Sequence, residues 1–295
     1  MIMRSRTQPN FSTLRSRSIA PVHALISPRV VAVTDTVLNG IDKHLAAPNP
    51  EQGGALLRPV SSTLITRFLW DCEAETSGVS YVPSEHLVRE VEDTETLLDM
   101  TLTGVVHSHP AGMNRLSGPD LDVTRHLLQQ NRHLGTVTMP IVTQTRDEDN
   151  VESHETSLTN GRITWFFARL DSSDRLIISK PTAVRVLPVE SVAQAVVAAT
   201  GWRSQTAQDL VVAGHSVVGL QFIAHDLDTT VWVLLSSDFP IAAPLIAVDD
   251  GDGMTPTKLA ALAHPDSDTA IAALIASLEQ LRTTVTKTPL QEVDQ

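Results

Sequence analysis

From Val30 to about Pro188, short β-branched runs alternate with amphipathic stretches. A chain so patterned must gather its strands into a sheet and cover the faces with its helices. Val30 to Val33 is strand-like, Thr34 or Asp35 can cap a helix, and Val37, Leu38 and Ile41 then recur at helical spacing. "PNPEQGG" (48–54) reads as a loop, and "ALLRPVSSTLITRFLW" (55–70) resumes as strand. A second helix follows Ser84, with Leu87, Val91 and Leu98 on one face. "TLTGVVHSHP" (101–110) is an apolar strand ended by Pro110. "SGPDLDVTRHLLQQNRHLG" (117–135) is a helix opened by Ser117 and Pro119 and closed near Gly135. "TVTMPIVTQT", "RITWFFARL" and "RLIISKPTAVRVLP" supply further strands, with the acidic "RDEDNVESHET" as a solvated loop. The expected architecture is an α/β sandwich.

A boundary falls near Pro188. Beyond it, "VESVAQAVVAATGW" is a helix ending at Gly201. "DLVVAG", "VVGLQFIAHD", "TVWVLLSSDFP" and "APLIAV" are four successive strands, hence a β-meander. A final helix carries Ile271, Leu274, Ile275, Leu278 and Leu281. The opening residues contain no acid before Asp35 but carry Arg4, Arg6, Arg15, Arg17 and Arg29. This composition is that of an organelle transit segment, without the apolar core of a secretory signal, and it reads as a flexible leader. The expected layout is a basic leader over 1–27, an α/β domain over 28–187, an α+β domain over 188–287, and a tail over 288–295.

Composition narrows the function. With 42% hydrophobic residues and no apolar run of about 18 to 20, the expectation is a globular cytoplasmic protein that does not cross a membrane. A net charge of -12 argues against nucleic acid as a partner, because binding there neutralises phosphates with Lys and Arg. The single cysteine, Cys72, excludes an internal disulfide and a cysteine-built zinc site, so any metal must be held by histidine and carboxylate. No role is assigned to Cys72.

One stretch meets that requirement: "GVVHSHPAGMNRLSGPD", Gly104 to Asp120. Side chains alternate faces along a strand, so His107 and His109 point the same way and Ser108 points away. A catalytic zinc takes about three protein ligands and a water, and Asp120 can be the third if the loop at Gly112 folds back. A bare His-x-His pair signifies little, and Ser117-x-x-Asp120 alone is a helix-capping pattern; their conjunction at short range points to a site. Glu73, Glu75 and Glu85 are acids near in sequence but read as solvated, and His86, His126 and His133 read as surface histidines.

These residues resemble the JAMM, or MPN-plus, zinc metalloproteases, a family that includes deubiquitinating isopeptidases and prokaryotic relatives. The signature, H-[ST]-H-P followed by S-x-x-D, matches at His107, Ser108, His109, Pro110, Ser117 and Asp120; the upstream segment E-x-G-G-x-L-L matches Glu51 to Leu57. The resemblance spans roughly residues 28 to 186. It implies a mixed sheet sandwiched by helices, one zinc ion per chain on His107, His109 and Asp120, Glu51 as the catalytic base, and Ser117 as a donor to the reaction's oxyanion. It further implies a hydrolase cleaving behind the C-terminal tail of a ubiquitin-like or sulfur-carrier protein, working beside activating or conjugating enzymes. The alternatives are a non-catalytic scaffold of a modification pathway and a zinc hydrolase for another peptide substrate. The second unit has a weaker resemblance to the core of ubiquitin-conjugating enzymes, through Phe239, Pro240 and Pro244, with Ala243 replacing a proline. No cysteine follows to carry a thioester, so a unit of that kind is non-catalytic here; an unrelated α+β domain is the other reading.

Overall fold

The computed structural model describes residues 29–46, 50–77, 80–144, 151–249, 254–257 and 264–285. The basic leader and the C-terminal tail expected from the sequence lie outside these residues. The chain divides into two compact units, with the division between Val186 and Leu187.

The first unit opens with β1 (Val30–Thr34), α1 (Asp35–Leu45) and β2 (Gly53–Pro59). Short strands β3 (Leu64–Ile65), β4 (Arg67–Trp70), β5 (Glu75–Ser77) and β6 (Ser80–Val82) lead to α2 (Glu85–Leu97), the long β7 (Met100–His109) and α3 (Gly118–Gln130). Then come β8 (Thr136–Thr138), β9 (Ile141–Thr143), β10 (Glu155–Ser157), β11 (Arg162–Thr164), β12 (Phe167–Leu170), β13 (Leu176–Ser179) and β14 (Ala183–Leu187).

Strand β7 is the axis of a mixed sheet. It runs antiparallel to β2 on one side and parallel to β8 and β9 on the other. Both faces are covered. Leu56, Val106, Val142 and Ile163 share a core with Val37, Leu38 and Ile41 of α1. Ala55, Leu57, Val105 and Ile141 share a second core with Leu87 and Val91 of α2 and Leu127 and Leu128 of α3. The alternation along β2 and β9 is the two-residue period of a pleated strand buried on both faces.

Along β7 that period is broken once. Leu57 pairs with Leu102 but Leu56 pairs with Gly104, so Thr103 is an extra, bulged residue. Leu102 and Val105 therefore enter the same core although three residues apart. Glycine is required at 104, where a Cβ would lie 1.9 Å from the Thr138 carbonyl oxygen.

Three sequence readings need correction, the first being the acidic stretch expected as a solvated loop, where His154 and Glu155 are buried and β10 begins at Glu155. Strand β2 begins at Gly53, not Ala55; Gly53 sits beneath the Tyr81 ring, whose Cζ would be 2.4 Å from a Cβ there, so this glycine marks a close approach and not a loop. Helix α3 stops at Gln130 and gives way to a 3-10 turn over Arg132–Leu134 before Gly135. The side chain of buried Asn131 donates to the Leu127 carbonyl (3.0 Å) at that point.

The second unit contains α4 (Val189–Thr200), β15 (Arg203–Ser204), β16 (Gln208–Val212), β17 (His215–Ala224), β18 (Thr229–Ser236), β19 (Leu245–Asp249), β20 (Met254–Pro256) and α5 (Ser267–Val285). β16 to β19 form the expected antiparallel meander, extended by the short β15 and β20. Phe222, Val231, Val233 and Leu235 are buried, as are Val192, Val196, Leu274 and Leu278 of the helices. Among the described residues no helix is long and apolar enough to cross a membrane.

Candidate metal centre

The last turn of strand before Pro110 and the first turn of α3 meet at one point. His107 and His109 leave β7 on the same face, and their Nε2 atoms are 2.9 Å apart. Asp120 completes the group, with Oδ1 3.2 Å from His107 Nε2 and Oδ2 3.3 Å from His109 Nε2. Local sequence explains why the aspartate arrives there. The loop folds back through a Met113 amide that donates to the Pro110 carbonyl (3.1 Å). Ser117 then caps α3: its Oγ accepts from the Asp120 amide (3.3 Å), and its own amide donates to Asp120 Oδ2 (2.6 Å). This reciprocal pair is a capping box, and it fixes the carboxylate that faces the histidines.

His109 Nδ1 donates to the Met113 carbonyl (2.9 Å), which places the ring proton on Nδ1 and leaves the Nε2 lone pair for the centre. The three donor atoms lie within 4.8 Å of one another. A tetrahedral ion with bonds of about 2.0–2.1 Å separates its ligands by about 3.3–3.4 Å, so the observed spacing suits three corners of such a site. Two imidazoles and a carboxylate are a donor set for zinc and its divalent neighbours. Electrostatics agree. Burial alone would raise the Asp120 carboxyl, but in the metal-free protein hydrogen bonds from His107 and His109 in their protonated forms, the His107 charge and the Ser117 amide hold it far below the usual carboxylate range. Burial pulls His109 down, and the Asp120 and Met113 contacts outweigh it, so its net shift is upward.

Glu51 stands beside this group without joining it. Gly53 pairs with His107 across the β2–β7 ladder. One residue on, the Ser108 amide donates to the Gln52 carbonyl (2.8 Å) and the Gln52 amide donates to Ser108 Oγ (2.9 Å). That register puts Glu51 opposite His109 on the metal-facing side. Glu51 is only 7% exposed. Burial raises its pKa, opposed by the fields of His109 and His107 and reinforced by that of Asp120. A carboxyl group so placed can exchange a proton with a molecule held at the centre.

Of the residues singled out in the sequence, His107, His109 and Asp120 converge, Glu51 lies in their field, and Ser117 holds Asp120. Glu73, Glu75 and Glu85 are exposed, and Glu85 pairs with Arg89 at 3.6 Å. His86, His126 and His133 are half-buried, and none belongs to the cluster. Cys72 is exposed. Sequence reasoning missed the Ser108 clamp, the Met113 carbonyl, and a set formed by Tyr81, Asp71 and Ser84. The Tyr81 hydroxyl donates to Asp71 Oδ2 (3.1 Å), and the Tyr81 ring stacks against His107 with centroids 6.2 Å apart. Burial first, then the Asp71 charge and hydrogen bond, push that hydroxyl well above its usual pKa, so it stays a donor. Apart from the Met113 carbonyl, four residues beyond His109, these partners lie ten or more residues apart and carry no local pattern; the one signal on offer was that Tyr81 is the chain's single tyrosine.

Neither a family model nor a curated protein matches the sequence. Among solved structures, the chain is similar to a protein from Desulfitobacterium hafniense known in solution, at 15% identity over 54% of this chain and 93% of that one, with a TM-score of 0.36. It is also similar to a JAB1/MPN domain protein from Archaeoglobus fulgidus, at 15% identity over 53% of this chain and 98% of that one, with a TM-score of 0.27.

Proposed function

We propose that this chain is a zinc-dependent peptidase or isopeptidase that cleaves behind the C-terminal tail of a ubiquitin-like or sulfur-carrier protein. The observation that carries the reading is the pairing of a three-donor cluster with a buried carboxylate that is not one of its donors. His107, His109 and Asp120 would hold the ion. Zinc, when bound, supplies a Lewis acid that lowers the pKa of water from about 15.7 towards about 7. Glu51 takes a proton at its carboxylate and later returns it to the leaving amine; its raised pKa suits a group that must both accept and release. The Ser117 hydroxyl, whose oxygen already accepts the cap bond, keeps its own proton free to donate to a developing oxyanion. A Gly-Gly tail suits a centre whose two histidines are buried at the end of a strand, because glycine permits close backbone contact. The substrate class rests on the motif resemblance, and a cytoplasmic location and the company of activating or conjugating enzymes belong to the same reading.

The test uses the full chain. Elemental analysis should find about one zinc per molecule, and the zinc-loaded protein should cut a linear fusion in which a ubiquitin-like protein ending in Gly-Gly precedes a reporter. Iron in place of zinc, or a zinc-loaded protein inert on every such fusion, would sink the proposal.

A further inference from the structure

The two histidines of the centre are oriented by different devices, and only one is the usual kind. His109 is held through Nδ1 by the Met113 carbonyl. His107 has no hydrogen bond at Nδ1 among the described residues; what lies against it is the Tyr81 ring, nearly parallel at 13° and offset by 6.2 Å between centroids, a stacked arrangement within the favourable range. We infer that Tyr81 is the positioning residue for His107, setting the plane of its imidazole so that Nε2 points at the metal.

Three observations fix the tyrosine in that role. Gly53, the ladder partner of His107, leaves the space the ring occupies, since any Cβ there would strike it at 2.4 Å. The hydroxyl is tethered to Asp71, itself 1% exposed. Asp71 is in turn immobilised by the Ser84 amide (2.8 Å) and the Ser84 hydroxyl (2.5 Å), while its own amide donates to the Gly53 carbonyl (3.0 Å). Ser84 caps α2, so the orientation of a prospective ligand is anchored to a helix terminus through one carboxylate. Outer partners of this sort change metal affinity by about 10- to 100-fold when removed.

The inference rests on the metal-centre reading, and the experiment separates the two. Zinc affinity of the full chain is measured by chelator competition, with the visible spectrum of the cobalt(II) form as a probe of geometry and thermal unfolding of the metal-free protein as a check on folding. Tyr81→Leu should bind zinc about 10- to 100-fold more weakly with an altered cobalt spectrum, and Tyr81→Phe, which keeps the ring but loses the tether to Asp71, should fall between Tyr81→Leu and wild type. Because Tyr81 is the sole tyrosine, tyrosine-labelled wild-type protein gives one ring signal by NMR, and it should shift on zinc addition and saturate at one equivalent; this arm needs no variant to fold. Wild-type affinity and spectrum in Tyr81→Leu, or a ring signal indifferent to zinc, overturns the inference. Failure of wild type itself to bind any zinc overturns the metal-centre reading instead.

Discussion

At the scale of single residues, the proposed function gives holding a metal and moving a proton to different side chains. His109→Ala removes one of three donors and should lose both bound zinc and activity; a fully loaded His109→Ala protein would contradict the ligand assignment. Glu51→Gln keeps size and burial but cannot accept a proton, so zinc content should be normal and the rate should fall by at least about 10²-fold. If that variant cleaves at the wild-type rate, the base lies elsewhere. The metal-free protein also has a pH signature. The His109 pKa is raised in the fold, so the stability it lends is complete below the unfolded value of about 6.5 and is lost as pH rises through the folded value. Thermal stability without metal should therefore decline from near pH 6.5 upward, and zinc should reverse that slope, because its ligands must be deprotonated. A zinc excess of a hundredfold over Kd should add about 2.7 kcal/mol, or roughly 5–10 °C in Tm. His107, His109 and Asp120 were legible because strand period and helix capping are local rules. Tyr81, Asp71 and the Ser108 clamp were not, because each acts across a fold that no short window contains.

At the scale of elements, the cap of α3 carries two duties that can be separated. Ser117→Ala should cost about 1 kcal/mol of stability while retaining the backbone amide that holds the Asp120 carboxylate. Ser117→Gly makes a nearly equivalent cap, within a few tenths of a kcal/mol, but has no hydroxyl. If Ser117 also donates to an oxyanion, Ser117→Gly should keep zinc and melting temperature while losing about 10²-fold in kcat; unchanged kcat would leave it a cap alone. The start and capping of α3 could be read from the sequence because Ser, Pro and Asp stand in the order a helix N-terminus requires. The start of β2 was misread because two glycines look like a turn until the ring packed over the first of them is known.

At the scale of the whole molecule, the first unit draws both its cores from residues no later than Val184. Its β14 pairs with the sheet edge at β1 and ends at Leu187. A chain ended just after Pro188 keeps every one of these elements and should stay soluble and bind zinc, with any lost affinity for a folded substrate reporting on the second unit. An aggregated or metal-free product would mean that the first unit does not stand alone. The alternation of strands and helices announced this layered plan, and the meander announced the second sheet, but the order of strands depends on pairings far apart in the chain. The bulge at Thr103 sets a constraint of another kind. It shifts the phase of β7 by one residue, so the outer half of the strand, which carries both histidines, is keyed to a single extra position. Losing one residue between Leu102 and Val105 would leave the motif intact as text while turning His107 and His109 towards α1. Length in this short segment is thus as binding as identity in the motif, and chains sharing the motif but lacking that residue should be unable to assemble the same centre.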